Sequence, residues 1–156
     1  MKLGAKLLGV ALITVSTISL ADRGDSALEI AVGGVLDNTL PIKAALGYHK
    51  GFNRSTDLAL LAGFQLNRDG NAVDFGAGSF YTHRIGDISP QYGFSLGPRL
   101  HIDKTDNISG LFLKAHMRAM YELSPSNQMF FEYSPEIEFG TLSDITHSLS
   151  VGFRFR

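Results

Sequence analysis

From Leu111 to the end of the chain, side chains alternate between two registers, and the charges fall on only one of them. Leu111, Leu113, Ala115, Met117, Ala119 and Tyr121 interleave with Phe112, Lys114, His116, Arg118, Met120 and Glu122. Met129, Phe131, Tyr133, Pro135, Ile137 and Phe139 interleave with Phe130, Glu132, Ser134, Glu136 and Glu138. Ile145, His147, Leu149, Val151, Phe153 and Phe155 then alternate with Thr146, Ser148, Ser150, Gly152, Arg154 and Arg156. A period of two dictates β-strands, because successive side chains leave opposite faces of the pleat. Each run is as long as a tilted strand needs to cross a bilayer's hydrocarbon, roughly 9 to 11 residues.

Five more segments of the same kind precede these three. They run from about Ala27 to Leu36, Leu40 to His49, Leu58 to Leu66, Val73 to Tyr81 and Gln91 to Ile102. Turn-forming residues separate them, with Asn67-Arg68-Asp69-Gly70 the strongest signal. An even number of antiparallel strands joined by short hairpins can close and leave no edge, and eight is a small, common number for membrane barrels. The expected fold is therefore all-β: one eight-stranded antiparallel up-and-down transmembrane β-barrel.

The first 21 residues carry the marks of a cleaved export signal. Lys2 and Lys6 precede an apolar stretch from Leu7 to Leu20, and Ser19-Leu20-Ala21 offers small residues for a peptidase. The expected organisation is a signal peptide over 1–21 and a barrel over 22–156. Loss of Lys2 and Lys6 takes the net charge from −1 to −3, so no basic field points to nucleic acid. The chain has no cysteine, which excludes disulfides, thiolate nucleophiles and Cys-based metal sites. No cofactor or metal site is expected.

Alternation alone also fits a soluble ligand-binding barrel with its apolar face inward. Three features point the other way. The apolar register of the segments above contains no Asp, Glu, Lys or Arg. The other register is rich in glycine, serine and charge. Tyr48, Tyr81, Tyr92, Tyr121, Phe139, Phe153 and Phe155 stand near strand ends on the apolar side, as in an interfacial girdle. The apolar register should face lipid.

The inward register then holds a candidate lumen charge network: Glu29, Lys43, Asp74, Arg99, Lys114, Arg118, Glu122, Glu132, Glu136, Glu138 and Arg154, with Arg156 and the histidines His49, His101 and His116 on the same side. Buried charges are costly unless paired, so balanced signs favour salt bridges. Eight strands leave a lumen that side chains can just fill, which favours a polar plug over a narrow ion path.

At this point the chain resembles small eight-stranded outer-membrane proteins of the OmpA transmembrane-domain and Ail/opacity types. The residues that carry the likeness are Met120-Tyr121-Glu122-Leu123-Ser124-Pro125-Ser126-Asn127 followed by Phe131-Glu132-Tyr133. A looser likeness to the YfaZ-type family rests on no motif. The last strand, with Leu149, Val151, Phe153 and Phe155, is similar to the C-terminal signal read by the barrel-assembly machinery, but Arg156 follows the final aromatic. The resemblance implies an outer-membrane location, a monomer in contact with membrane lipids including lipopolysaccharide, and periplasmic chaperones and the assembly machinery as partners during biogenesis. It also implies periplasmic termini, which makes Asp37–Thr39, Asn67–Asn71, Asp103–Ser109 and Gly140–Asp144 the outer loops. These are short, and leave little surface for an adhesin.

The function expected is a structural, envelope-integrity role without catalysis; the alternatives are a narrow channel and a lipid A-modifying enzyme. No nucleophile and base are legible on one face: His147 and Ser148 are adjacent, so they point to opposite sides. Pro98 and Pro135 fall inside strands, where proline cannot donate to a ladder. Bulges are the expected explanation, and a lateral gap through which a lipid chain could reach the lumen is the alternative.

Overall fold

The alternating segments close into a barrel. The computed structural model describes residues 26–36, 41–66, 71–102, 109–139 and 145–156. The expected signal peptide lies outside the described residues, as do almost all of the expected outer loops. The strands are β1 (Ser26–Val35), β2 (Ile42–Gly51), β3 (Thr56–Leu66), β4 (Ala72–Thr82), β5 (Ile88–His101), β6 (Ser109–Ser124), β7 (Asn127–Phe139) and β8 (Ile145–Phe155). Each pairs antiparallel with the next, and β8 returns to β1 over Leu28↔Phe155 to Val35↔Ser148. The eight-stranded antiparallel barrel expected from the alternation is what forms, and closure removes every sheet edge.

Hairpins at one rim are set by local chemistry. Between β2 and β3 the Asn53 side-chain oxygen accepts from the backbone N–H of Ser55 and of Thr56, both at 2.9 Å. Gly86, at φ 64°, supplies the left-handed residue of the β4–β5 turn. Between β6 and β7 the Ser124 hydroxyl accepts from Asn127 N–H at 3.1 Å. The described residues begin, at Ser26, and end, at Arg156, at this same rim, called here the terminal rim.

Burial is inverted relative to a water-soluble core. Leu60 is 64% exposed and Phe131 58%, whereas Arg154 and Glu136 are each 1% exposed. Lipid can solvate the outside and only side chains the inside, which excludes the soluble ligand-binding arrangement. The tyrosines are not spread over both ends. Tyr48, Tyr81, Tyr92 and Tyr121 all belong to the terminal rim, with Tyr81 and Tyr92 cross-strand neighbours. Phe139 stands at the opposite rim. Because β2 extends two residues past His49, Lys50 continues the outward register, but only at the terminal rim.

The prolines do not make bulges. On β4–β5 the pairing runs Asp74↔Arg99, then resumes at Ala77↔Leu96 in the same register. On β6–β7 it runs Lys114↔Glu136, then resumes at Met117↔Tyr133, again unshifted. Each proline deletes the ladder bond that its missing N–H would have made, and the strands stay aligned on both sides. Among the described residues the one irregularity in register lies between Glu122 and Ser124, beside the β6–β7 turn.

Candidate functional site

The inward register assembles into two tiers of charge stacked along the barrel axis. In the tier nearer the terminal rim, Arg118 of β6 reaches Glu29 of β1 with both terminal nitrogens at 2.8 Å. Its Nε donates to Glu132, the residue directly opposite on β7. Arg154 of β8 donates to the same Glu29 at 3.1 Å and to Asp57 at 3.3 Å. His49 stands 3.1 Å from Glu29. The Gln91 side-chain oxygen accepts from Arg118 at 3.2 Å and from Arg154 at 3.1 Å.

In the other tier, Arg99 takes Asp74 through Nε at 2.6 Å and Nη2 at 2.9 Å. The same guanidinium meets Glu136 at 2.5 Å and Glu138 at 3.0 Å. Lys114 at 3.1 Å and Lys43 at 3.4 Å converge on Glu136 as well. His101 pairs with Glu138 at 2.6 Å. Bidentate guanidinium–carboxylate contacts in which each charge has a partner are what make such burial tolerable.

Inward aromatics lock the tiers. The Arg118 guanidinium lies between Phe80 and Phe130, 4.4 and 4.6 Å from their ring centres. Phe80 faces Gly93 across β4–β5 and Phe130 faces Gly152 across β7–β8. A Cβ on Gly93 would come within 2.8 Å of Phe80 Cε1, so only glycine lets the ring lie flat on the wall. Between the tiers remains a cavity of about 60 Å³, bordered by Ser95, Lys114, Ser134, Ser148 and Ser150 among others. That is room for a few waters.

Of the eleven residues expected to form the network, the structure brings ten into the two tiers. Glu122 stands apart. It keeps the inward register, opposite Gln128, but lies past the last β5–β6 pair, Ile88↔Tyr121, where the lumen opens, and is exposed and without an ion pair among the described residues. Arg156 is also exposed. The sequence reading did not pick out Asp57, Gln91, Phe80 or Phe130. Phenylalanine on an otherwise polar register, opposite glycine, was the available signal. On β8, Leu149, Val151, Phe153 and Phe155 all face outward.

The expectation that no nucleophile and base share a face needs correcting. Ser95 and His116 are diagonal neighbours on β5 and β6, with Ser95 Oγ 2.8 Å from His116 Nε2. His116 Nδ1 lies 3.0 Å from Glu132, although not aligned as a hydrogen bond. Serine, imidazole and carboxylate thus stand in relay order. Two facts restrain this arrangement: Ser95 is fully buried, and Glu132 is already held by Arg118. His147 and Ser148 do point to opposite faces, the first exposed and the second buried.

No family model and no curated protein matches the chain. Solved structures do. Neisserial surface protein A superposes with a TM-score of 0.65 at 14% identity, covering 83% of this chain and 94% of that one. The N-terminal β-barrel domain of Pseudomonas aeruginosa OprF gives 0.59 at 14%, covering 85% and 100%. The outer membrane enzyme PagL gives 0.58 at 12%, covering 83% and 99%. One of the three is named as an enzyme, so the shared architecture does not decide for or against catalysis. What the likeness establishes is the fold: this chain is a closed eight-stranded barrel of the outer-membrane type.

Proposed function

We propose that the protein is an integral outer-membrane barrel whose lumen is shut by its own ion-pair core, contributing passively to the envelope without catalysis. The observation that carries this is the cross-lumen clamp of Arg118 on Glu29, wedged between Phe80 and Phe130. A conducting path would need these groups apart, leaving charges unpaired in a low-dielectric interior. Insertion in the outer membrane, among lipids including lipopolysaccharide, agrees with the exposed apolar wall and the tyrosine ring. On this reading the outward side chains of β8, Leu149, Val151, Phe153 and Phe155, serve as the recognition signal for assembly, with chaperones acting before insertion.

The test pairs heat-modifiable gel mobility with single-channel conductance on the refolded chain. A mobility shift without conductance is expected. A shift with steady conductance would make the tiers a permeation path, and no shift in any detergent or vesicle would remove the membrane reading.

A second reading, acyl-ester hydrolysis, is favoured by one observation, the Ser95–His116–Glu132 relay. A fluorophosphonate that labels wild type but not Ser95→Ala would establish it. The sealed position of Ser95 leads us to expect no labelling.

A further inference from the structure

One polar pair breaks the apolar outer wall. Away from the rims, the polar outward groups among the described residues are Ser79 and a dyad, Tyr133 on β7 with His147 on β8. The two are diagonal neighbours, since Tyr133 pairs with Leu149 and His147 with Pro135. Their rings are parallel to within 6°, with centres 5.9 Å apart, and Tyr133 Oη lies 2.7 Å from His147 Nδ1.

A count of hydrogens shows what this pair lacks. A neutral imidazole carries one N–H and the phenol one O–H, so the dyad owns two donors. The contact between them spends one. If Tyr133 donates to Nδ1, the Nε2–H of His147 is left over; if Nδ1–H donates to the phenol oxygen, the Tyr133 O–H is left over. Either way one donor stays unspent on a wall that faces lipid, where an unmade hydrogen bond is costly. The aliphatic and aromatic side chains of the surrounding wall offer no acceptor. Among the described residues nothing accepts it, and an acceptor on a neighbouring lipid would.

Depth narrows its chemistry. His147 is two residues from Ile145, where β8 begins at the rim opposite the tyrosines. At about 3.3 Å per residue and a tilt of about 40°, its Cα lies roughly 5 Å inside that end of the wall. The carbonyls that link acyl chains to a lipid backbone sit at about this boundary, and phosphates sit further out.

We propose that Tyr133 and His147 form a lipid-binding site, whose free donor takes the carbonyl oxygen at an acyl linkage of a membrane lipid lying against β7 and β8. The proposal rests on the reading that this wall faces lipid.

The test reconstitutes the refolded chain in vesicles of diacyl phosphatidylcholine or of its diether analogue, which has the same chains but no carbonyls. Lipid retained after detergent extraction is read by native mass spectrometry, and the His147 side-chain nitrogens by NMR. Wild type is expected to retain the diacyl lipid roughly two- to tenfold better, the range that one net hydrogen bond sets. The double variant His147→Phe/Tyr133→Phe, which has no donor left, should bring the ratio to one with heat-modifiable mobility unchanged, whereas each single variant keeps one donor and part of the preference. Equal retention of the two lipids by wild type, or a ratio that survives the double substitution, overturns the site. Should a variant not fold, the His147 resonances of wild type in the two vesicles decide: a difference supports the contact, and identity overturns it. Loss of heat-modifiable mobility by wild type itself would instead overturn the membrane reading on which the site stands.

Discussion

Arg118 and Glu29 meet face to face across the lumen, two nitrogens on two oxygens at 2.8 Å, from strands that are not ladder neighbours. That clamp ties β6 to β1 independently of the sheet. Replacing Arg118 with methionine keeps volume between Phe80 and Phe130 but leaves Glu29 and Glu132 short of their shared cation. We expect a loss of about 3–5 kcal/mol in urea unfolding from vesicles. Adding Glu132→Gln to Arg118→Met should recover part of it, because the unpaired charge of Glu132 is then gone while Glu29 keeps Arg154. A single substitution costing less than about 1 kcal/mol would mean the clamp contributes little.

Gly152 is expected to resist even a methyl group. An added Cβ would stand 2.5 Å from the backbone oxygen of Ile30 and would also press on the Phe130 ring. Backbone cannot step aside as a flexible side-chain end can, so Gly152→Ala should cost about 1–3 kcal/mol by overpacking. Phe130→Ala should not rescue it, since the Ile30 oxygen remains. Full rescue would show that the ring alone requires the glycine.

Much of this architecture is legible in the chain, and the failures have physical reasons. Period two assigns each residue to a face, and the β6–β7 hairpin then pairs Lys114 with Glu136 and Arg118 with Glu132. The single-sided tyrosine ring also follows once strands alternate in direction: Tyr48, Tyr81 and Tyr121 end even strands, and Tyr92 lies near the start of an odd one. The contact of Arg118 with Glu29 does not follow, because periodicity says nothing of which groups meet across a lumen. Ser95 and His116 escaped notice for a related reason, being diagonal neighbours on separate strands. Glu122 keeps its inward register, but period two does not say where along the axis the packed lumen ends, and β6 runs past its last β5 partner at Tyr121.

Pro98 and Pro135 offer a sharper test of the wall. Valine at either position restores one N–H opposite a carbonyl in an unshifted register. The ladder bond would add about 0.5–1.5 kcal/mol, and the freer unfolded chain would take back about 0.4–1. Stability should therefore move by less than about 1 kcal/mol in Pro98→Val and Pro135→Val. Hydrogen exchange is the decisive readout, and the amide introduced at each position should be protected like its neighbours. Rapid exchange there would indicate that the strands part at the prolines, as a lateral gap requires.

Two lumen serines should respond oppositely to loss of the hydroxyl. Ser95 donates to or accepts from His116 at 2.8 Å, and both are buried. Ser95→Ala would strand an imidazole nitrogen and cost about 1–3 kcal/mol. The Ser148 hydroxyl is also buried but has no partner among the described residues, and it borders the 60 Å³ cavity. If the cavity is dry there, Ser148→Ala removes an unsatisfied group and leaves stability unchanged or slightly raised, by up to about 1 kcal/mol. A cost matching that of Ser95→Ala would instead mean that Ser148 holds a water between the two tiers. That water would make the cavity part of the polar core, because a buried water commonly makes about three hydrogen bonds to groups otherwise unsatisfied.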